Sequence, residues 1–198
     1  VELVELRNRV FRELRTQHPK LLPEEIDDAL NATQQVYIQP VARERAKATH
    51  TISSAEHQAK QLALGDVMID LYELDFVKDE THGLPGTTVS VLSPSDAQHA
   101  GIRIIGDTLY LFGQSAGNVL AFYYFRKLKD LGTATEQVTV PEIDERWHDL
   151  YWLGAVVDLV AGHARTEQFF TRLAEFRAER QRAQYAGPRR TRPRVPWV

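Results

Sequence analysis

No cysteine occurs among the 198 residues, which excludes a disulfide framework, a thiolate metal site and a cysteine nucleophile. No apolar run is long enough to cross a bilayer: the longest, Leu150 to Gly162, is too short and carries Asp158. No leader pattern precedes the first helical stripe. Metal-ligand spacing is missing too. His50 and His57 lie in a polar stretch, His148 and His163 near the two ends of one expected helix, and there is no His-Glu-x-x-His. These read as surface histidines, with no cofactor. What remains is 43% hydrophobic and 26% charged, enough to build one ordinary core and too apolar for a disordered chain.

Charge is unevenly placed. From Arg165 onward nine arginines face three glutamates, a formal +6, so residues 1–164 carry −9 of the whole-chain −3. An acidic body with a basic end favours contact between copies or with an acidic partner, and argues against the body coating a nucleic acid.

Periodicity gives the order of elements. Leu3, Leu6, Val10 and Leu14 make a helical stripe that His18-Pro19 ends. Leu22-Pro23-Glu24-Glu25 opens a second helix, with proline in its first turn and acids at its positive end. Pro40 should kink or end it. The middle turns to short β-branched and aromatic runs. Thr49 to Ser53 and Gln58 to Leu64 could pair as strands, although Ser53-x-x-Glu56 is also a capping-box pattern. Ile102 to Phe112 reads as a hairpin around Gly106-Asp107, and Asn118 to Lys127 as another strand. Helices return at Pro141-Glu142, with Trp147, Leu150, Tyr151 and Gly154 on one face, and then with Phe169, Phe170, Leu173 and Phe176 as the last apolar stripe.

The expected fold class is therefore α+β: an antiparallel four-helix bundle with an inserted small β lobe and an extended C-terminal arm. Residues 1–48 make the first helical hairpin, 49–135 the inserted β-rich lobe, 136–184 the second hairpin and 185–198 the arm. The arm is the most unusual segment. Pro188, Pro193 and Pro196 forbid a continuous helix or inner strand, while Arg189, Arg190, Arg192 and Arg194 have no acidic neighbour. It ends in Trp197, a residue type common at interface anchors. These five residues are the candidate partner-binding set, and their guanidinium forks suit carboxylates or phosphates.

Catalytic signals are thin. Gly113-Gln114-Ser115-Ala116-Gly117 matches the G-x-S-x-G nucleophile elbow, with Asp158 and His163 later in the required order. The elbow needs a helix after the serine, and Asn118 to Phe125 reads as strand, so a hairpin loop explains the segment. Asp66 and Asp70 would share a face of one strand with nothing converging on them. Two alternatives stay open: a small serine hydrolase using Ser115, and a DNA-binding module using the arginine-rich C-terminus.

Three segments carry a family resemblance. Val4 to Arg15 leads to Leu22-Pro23-Glu24-Glu25-Ile26-Asp27-Asp28-Ala29-Leu30-Asn31. Gln61 to Val67 follows a "Y-x-L-P-x-D" segment without its tyrosine and proline, with Gly65 at the departure. Val140 to Leu150 follows an "L-P-x-E-x-H-x-L-L" pattern. In these the chain resembles the tailed-bacteriophage head-to-tail adaptor family, also called head completion or connector proteins. The resemblance implies a structural, non-enzymatic virion protein at the portal vertex or neck, assembled in the host cytoplasm, with no membrane partner. It implies a homo-oligomeric ring, a dodecamer, that binds the portal protein above and a downstream tail or nozzle protein below. Genomic DNA passes through the ring without specific binding, and the arm from Arg189 to Trp197 reaches the portal.

Overall fold

The computed structural model describes residues 1–81, 87–92, 100–133 and 137–185. The chain divides into two compact units: Val1–Ala42 with the residues from Lys129 onward, and Arg43–Leu128 between them.

The first unit is helical. Helix α1 (Leu3–Leu14) buries Leu3, Leu6, Val10 and Leu14, the stripe that its sequence spells. Helix α2 (Pro23–Thr33) begins with Pro23 in its first turn, and the Glu25 carboxylate accepts from the Leu22 N–H at 2.8 Å. It runs into a π turn (Gln34–Ile38) and the four-residue helix α3 (Gln39–Ala42). The break falls where Pro40 cannot donate to the helical ladder. Helices α5 (Asp149–Leu159) and α6 (Thr166–Tyr185) complete the unit.

Residues 43–128 hold the short helix α4 (Ser54–Ala59) and two antiparallel sheets. The larger sheet has strand order β1-β7-β3-β4, from β1 (Arg45–Thr51), β7 (Val119–Arg126), β3 (Leu71–Asp79) and β4 (Thr87–Val89). The smaller has order β2-β6-β5, from β2 (Gln61–Ala63), β6 (Thr108–Phe112) and β5 (Gly101–Ile105). Past β4 the chain touches the second sheet, where Leu92 N–H donates to the Ile102 carbonyl at 2.7 Å. Leu62, Val77, Ile102, Leu109, Leu120 and Phe122 then form one core shared by both sheets.

The architecture is mixed α+β, but it is not an antiparallel four-helix bundle. A bundle needs one apolar stripe per helix, whereas α5 buries Leu150, Tyr151, Leu153, Gly154, Ala155 and Val156, which point all round its axis. It packs against α1, α2 and α6 at once and lies at the centre of the unit. The β part has two sheets and a core of its own, which is more than a small lobe on a bundle.

Local expectations fared unevenly. The hairpin β5–β6 forms around Gly106-Asp107 as expected, and its register sets Ile105 opposite Thr108, with Gly106 at φ +57° in its turn. Thr49 to Ser53 and Gln58 to Leu64 do not pair with each other. Strand β1 pairs with β7 and β2 with β6, while Ser53 caps α4 by accepting from the Glu56 N–H at 3.2 Å. Pro141 does not start a helix: Asp144 caps a single 3-10 turn (Glu145–Trp147), and α5 follows. Phe170, expected in the core, is 48% exposed, while neighbouring Phe169 is 0%.

Phe169→Ala is expected to destabilise the fold by about 3–5 kcal/mol, with Phe170→Ala costing much less, as read by urea denaturation. At Gly154 an added Cβ would lie 2.3 Å from Cγ2 of buried Thr33. Gly154→Ala therefore forces α2 and α5 apart and is expected to cost about 1–3 kcal/mol in the same measurement.

Candidate functional site

Arg189, Arg190, Arg192, Arg194 and Trp197 lie outside the described residues. The structure does describe α6, which leads to them. Its first half is clamped to the helical unit by arginines. The Arg165 guanidinium donates to Glu13 of α1 at 2.8 and 3.4 Å, and Arg172 donates to Asp149 of α5 at 2.8 and 3.2 Å. Arg172 also reaches Glu175 and the Arg146 carbonyl and lies 4.6 Å from the Trp147 ring centroid. Arg146 pairs with Glu179. The hydrogen bond from Arg165 holds the Glu13 carboxyl below its usual range despite partial burial, with the charges of Arg165 and His163 adding to it.

Among the described residues, the basic run holds arginines of two kinds. Arg165 and Arg172 are committed to carboxylates of their own unit. Arg177 and Arg182 are exposed and have no acidic partner among the described residues. Of these pairings only the local one, Arg172 with Glu175 at i, i+3, has a signal in the sequence.

The G-x-S-x-G segment is a turn between β6 and β7, with Gly113 and Gly117 at φ +68° and +87°. It is pinned by its backbone: Gly117 N–H donates to the Ile52 carbonyl at 2.8 Å and Asn118 N–H to the Ser115 carbonyl at 3.2 Å. The His57 ring Nδ1 meets the Gln114 carbonyl at 2.9 Å, the geometry of an N–H donating to it. No helix follows Ser115; β7 does. The strained strand-to-helix elbow is therefore absent. His163 Nδ1, the expected base, accepts the Arg165 N–H at 3.1 Å beside the start of α6.

The remaining candidates are also tied into the fold. Buried His148 meets the Ile143 carbonyl through Nε2 at 2.8 Å, and His50 Nε2 meets both Glu56 oxygens at 3.0 Å. Asp66 and Asp70 do not share a strand: Asp66 closes a 3-10 turn, and Asp70 accepts from the Tyr124 hydroxyl at 2.9 Å. Burial first, and Asp70 second, push Tyr124 up to about 12. Among the described residues there is no group of three or more His, Cys, Asp or Glu side chains able to hold a metal ion. None of their helices is long and apolar enough to cross a membrane.

Among the described residues the candidate polar side chains are spent on binding the chain's own elements together. No curated protein matches the chain. The model of the SU10 adaptor protein family matches residues 2–194, and the chain belongs to that family. It is a phage structural adaptor protein, a component of the virion.

An active-site-directed fluorophosphonate is expected to leave the protein unlabelled; labelling that Ser115→Ala abolishes would restore the hydrolase reading. A second expectation concerns acid. Burial works to raise the Glu56 carboxyl, but hydrogen bonds from the Ser53 N–H and from the His50 and Ser53 side chains more than offset it, so its pKa is lowered. A lowered folded pKa contributes stability above the ordinary glutamate range and loses it as pH falls through the folded value. Glu56→Gln should therefore flatten the acid side of a stability-versus-pH curve measured by urea denaturation between neutrality and about pH 3.

Proposed function

We propose that this chain is the repeating subunit of a homo-oligomeric ring, a dodecamer, that joins the capsid portal to the tail and lines the channel through which the genome passes. The observation that carries this reading is the reach of the family match: it runs through residue 194 and so takes in Arg189, Arg190, Arg192 and Arg194 of the arm. Membership of an adaptor family implies contact with portal and tail proteins. The arm, from Arg189 to Trp197, is the portal-binding element, and the opposite side of the ring meets the downstream tail or nozzle protein.

Charge supports the division of labour. Residues 1–164 carry a formal −9, which keeps a sliding polyanion from sticking, while the net positive charge, a formal +6 from Arg165 onward, lies at the end that grips protein. Each arm contributes modestly, and simultaneous engagement around the ring makes the joint secure. The work is done by binding alone, without cofactor, metal or catalytic residue. Assembly takes place in the host cytoplasm, and the product sits at the portal vertex of the virion.

Truncation after Tyr185 should leave the helical circular dichroism and melting transition intact and abolish attachment to portal-bearing heads, seen by negative-stain imaging. Tailed, infectious particles assembled with the truncated chain would sink the proposal.

A further inference from the structure

Helix α1 has a groove beside it on the side away from α2. The Arg7 guanidinium turns toward α2 and donates to Asp27 at 2.6 Å, while Glu13 turns another way and accepts from Arg165, just ahead of α6, at 2.8 Å. On the Glu13 side lies a surface groove of about 510 Å³, lined by Glu5, Arg9, Arg12 and Glu13 of α1 and Trp152 of α5. Not every polar group there is paired. Arg9 bonds Glu5 and Arg165 bonds Glu13, but exposed Arg12 donates only to the Asn8 carbonyl of its own helix, at 3.2 Å. The Trp152 indole Nε1–H is buried without any acceptor. A buried donor left unsatisfied costs free energy that an incoming acceptor restores. The groove thus combines an unpaired cation with an unanswered donor, and a carboxylate supplies what both lack.

The complement is on the same helical unit. Glu24 and Asp28 of α2 stand at i, i+4, both exposed, and neither forms an ion pair among the described residues. Glu24 lies in the first turn, where the positive end of the helix favours it. Asp28 lies a turn further on, beyond that effect, and has a like charge as its neighbour, which is unfavourable in an isolated helix. A cation from outside the unit would relieve it. One unit therefore carries a carboxylate-seeking groove and a pair of unanswered carboxylates at different places on its surface. Matching sites at different places join identical subunits head to tail, and such contacts generate a ring when the rotation closes.

We infer that these two surfaces meet between neighbouring copies: the exposed acids of α2, Asp28 foremost, enter the Arg12–Trp152 groove of the next subunit. The occupant of the groove is a second copy of this chain. The inference rests on the ring proposed above and names the residues that close it. A single contact of this kind is weak, and closure of the ring multiplies it.

The test exploits a sequence without cysteine. Phage particles are assembled with the full chain carrying Arg12→Cys, Asp28→Cys or both, treated with a short bismaleimide, denatured, and probed with antibody to the chain. Both positions are exposed, so the variants fold as the parent does. The expected result is a ladder of covalent multimers from the double variant and monomer alone from each single one. A double variant that stays monomeric in particles whose necks still show a ring by electron microscopy would overturn this inference and leave the proposed function standing. Dimers from a single variant would place like surfaces against each other and overturn it as well. Parent necks without a ring of this chain would overturn the proposed function, and the inference with it. A charge exchange covers the case in which the cysteine variants do not assemble. Arg12→Glu should lower the yield of tailed particles roughly tenfold or more, and adding Asp28→Arg should restore it. A yield that the second substitution fails to restore would overturn the pairing.

Discussion

Helix α5 has almost no polar face among its eleven residues, and such a helix must be covered by protein on every side. The helical unit is organised around that demand. Helices α1, α2 and α6 each give it one apolar stripe, and Gly154 lets α2 approach closely through Thr33. Covering α5 also buries polar atoms that need partners. The Tyr151 hydroxyl donates to the Gln34 side-chain oxygen at 2.9 Å, and Gln34 donates in turn to the Lys129 carbonyl at 3.1 Å. That chain ties the π turn after α2 to the strand-to-helix return, so the irregular part of the unit is held by hydrogen bonds rather than by helix propensity.

The β unit meets a related demand in a different way. Strand β7 lies between β1 and β3, and its burial does not alternate. Leu120, Phe122 and Tyr124 point into the shared core. On the other face, Phe125 and Tyr123 lie under long cationic side chains: Arg43 is 4.3 Å from the Phe125 ring centroid, and Lys47 is 5.2 Å from that of Tyr123. Aliphatic stems cover the rings while the charged heads stay wet and pair with Glu73 and Glu80. An aromatic strand can therefore sit beneath a charged surface.

What could be read from the sequence was mostly local. The α1 stripe, the Ile102 to Phe112 hairpin and the position of α6 all follow from spacing within a few residues. Partner choice is a longer-range matter. Strand β1 pairs with β7, some seventy-five residues on, and nothing near Thr49 announces that. The bundle expectation failed on the same point, since each helix was read separately and α5 could be recognised as central only from its neighbours. Phe169 and Phe170 are adjacent, and a 100° step separates core from surface; the stripe could be drawn through either. For the site, the arm was legible as composition and the family as short motifs at α1 and α2, at Gln61 to Val67, and at Val140 to Leu150 leading into α5. The commitment of Arg165 and Arg172 to Glu13 and Asp149 was hidden, because those acids come from distant parts of the chain.

The chain enters and leaves the β unit side by side. Arg45 stands opposite Phe125, and Arg126 N–H donates to the Glu44 carbonyl at 2.9 Å, so the eighty-odd residues between are closed at the neck like a hairpin. To the helical unit, that insertion imposes little more closure entropy than a tight turn. Such a neck makes the β unit exchangeable in evolution: a lineage can lengthen, shorten or swap it to suit a new neighbour while the helices around α5 keep their packing.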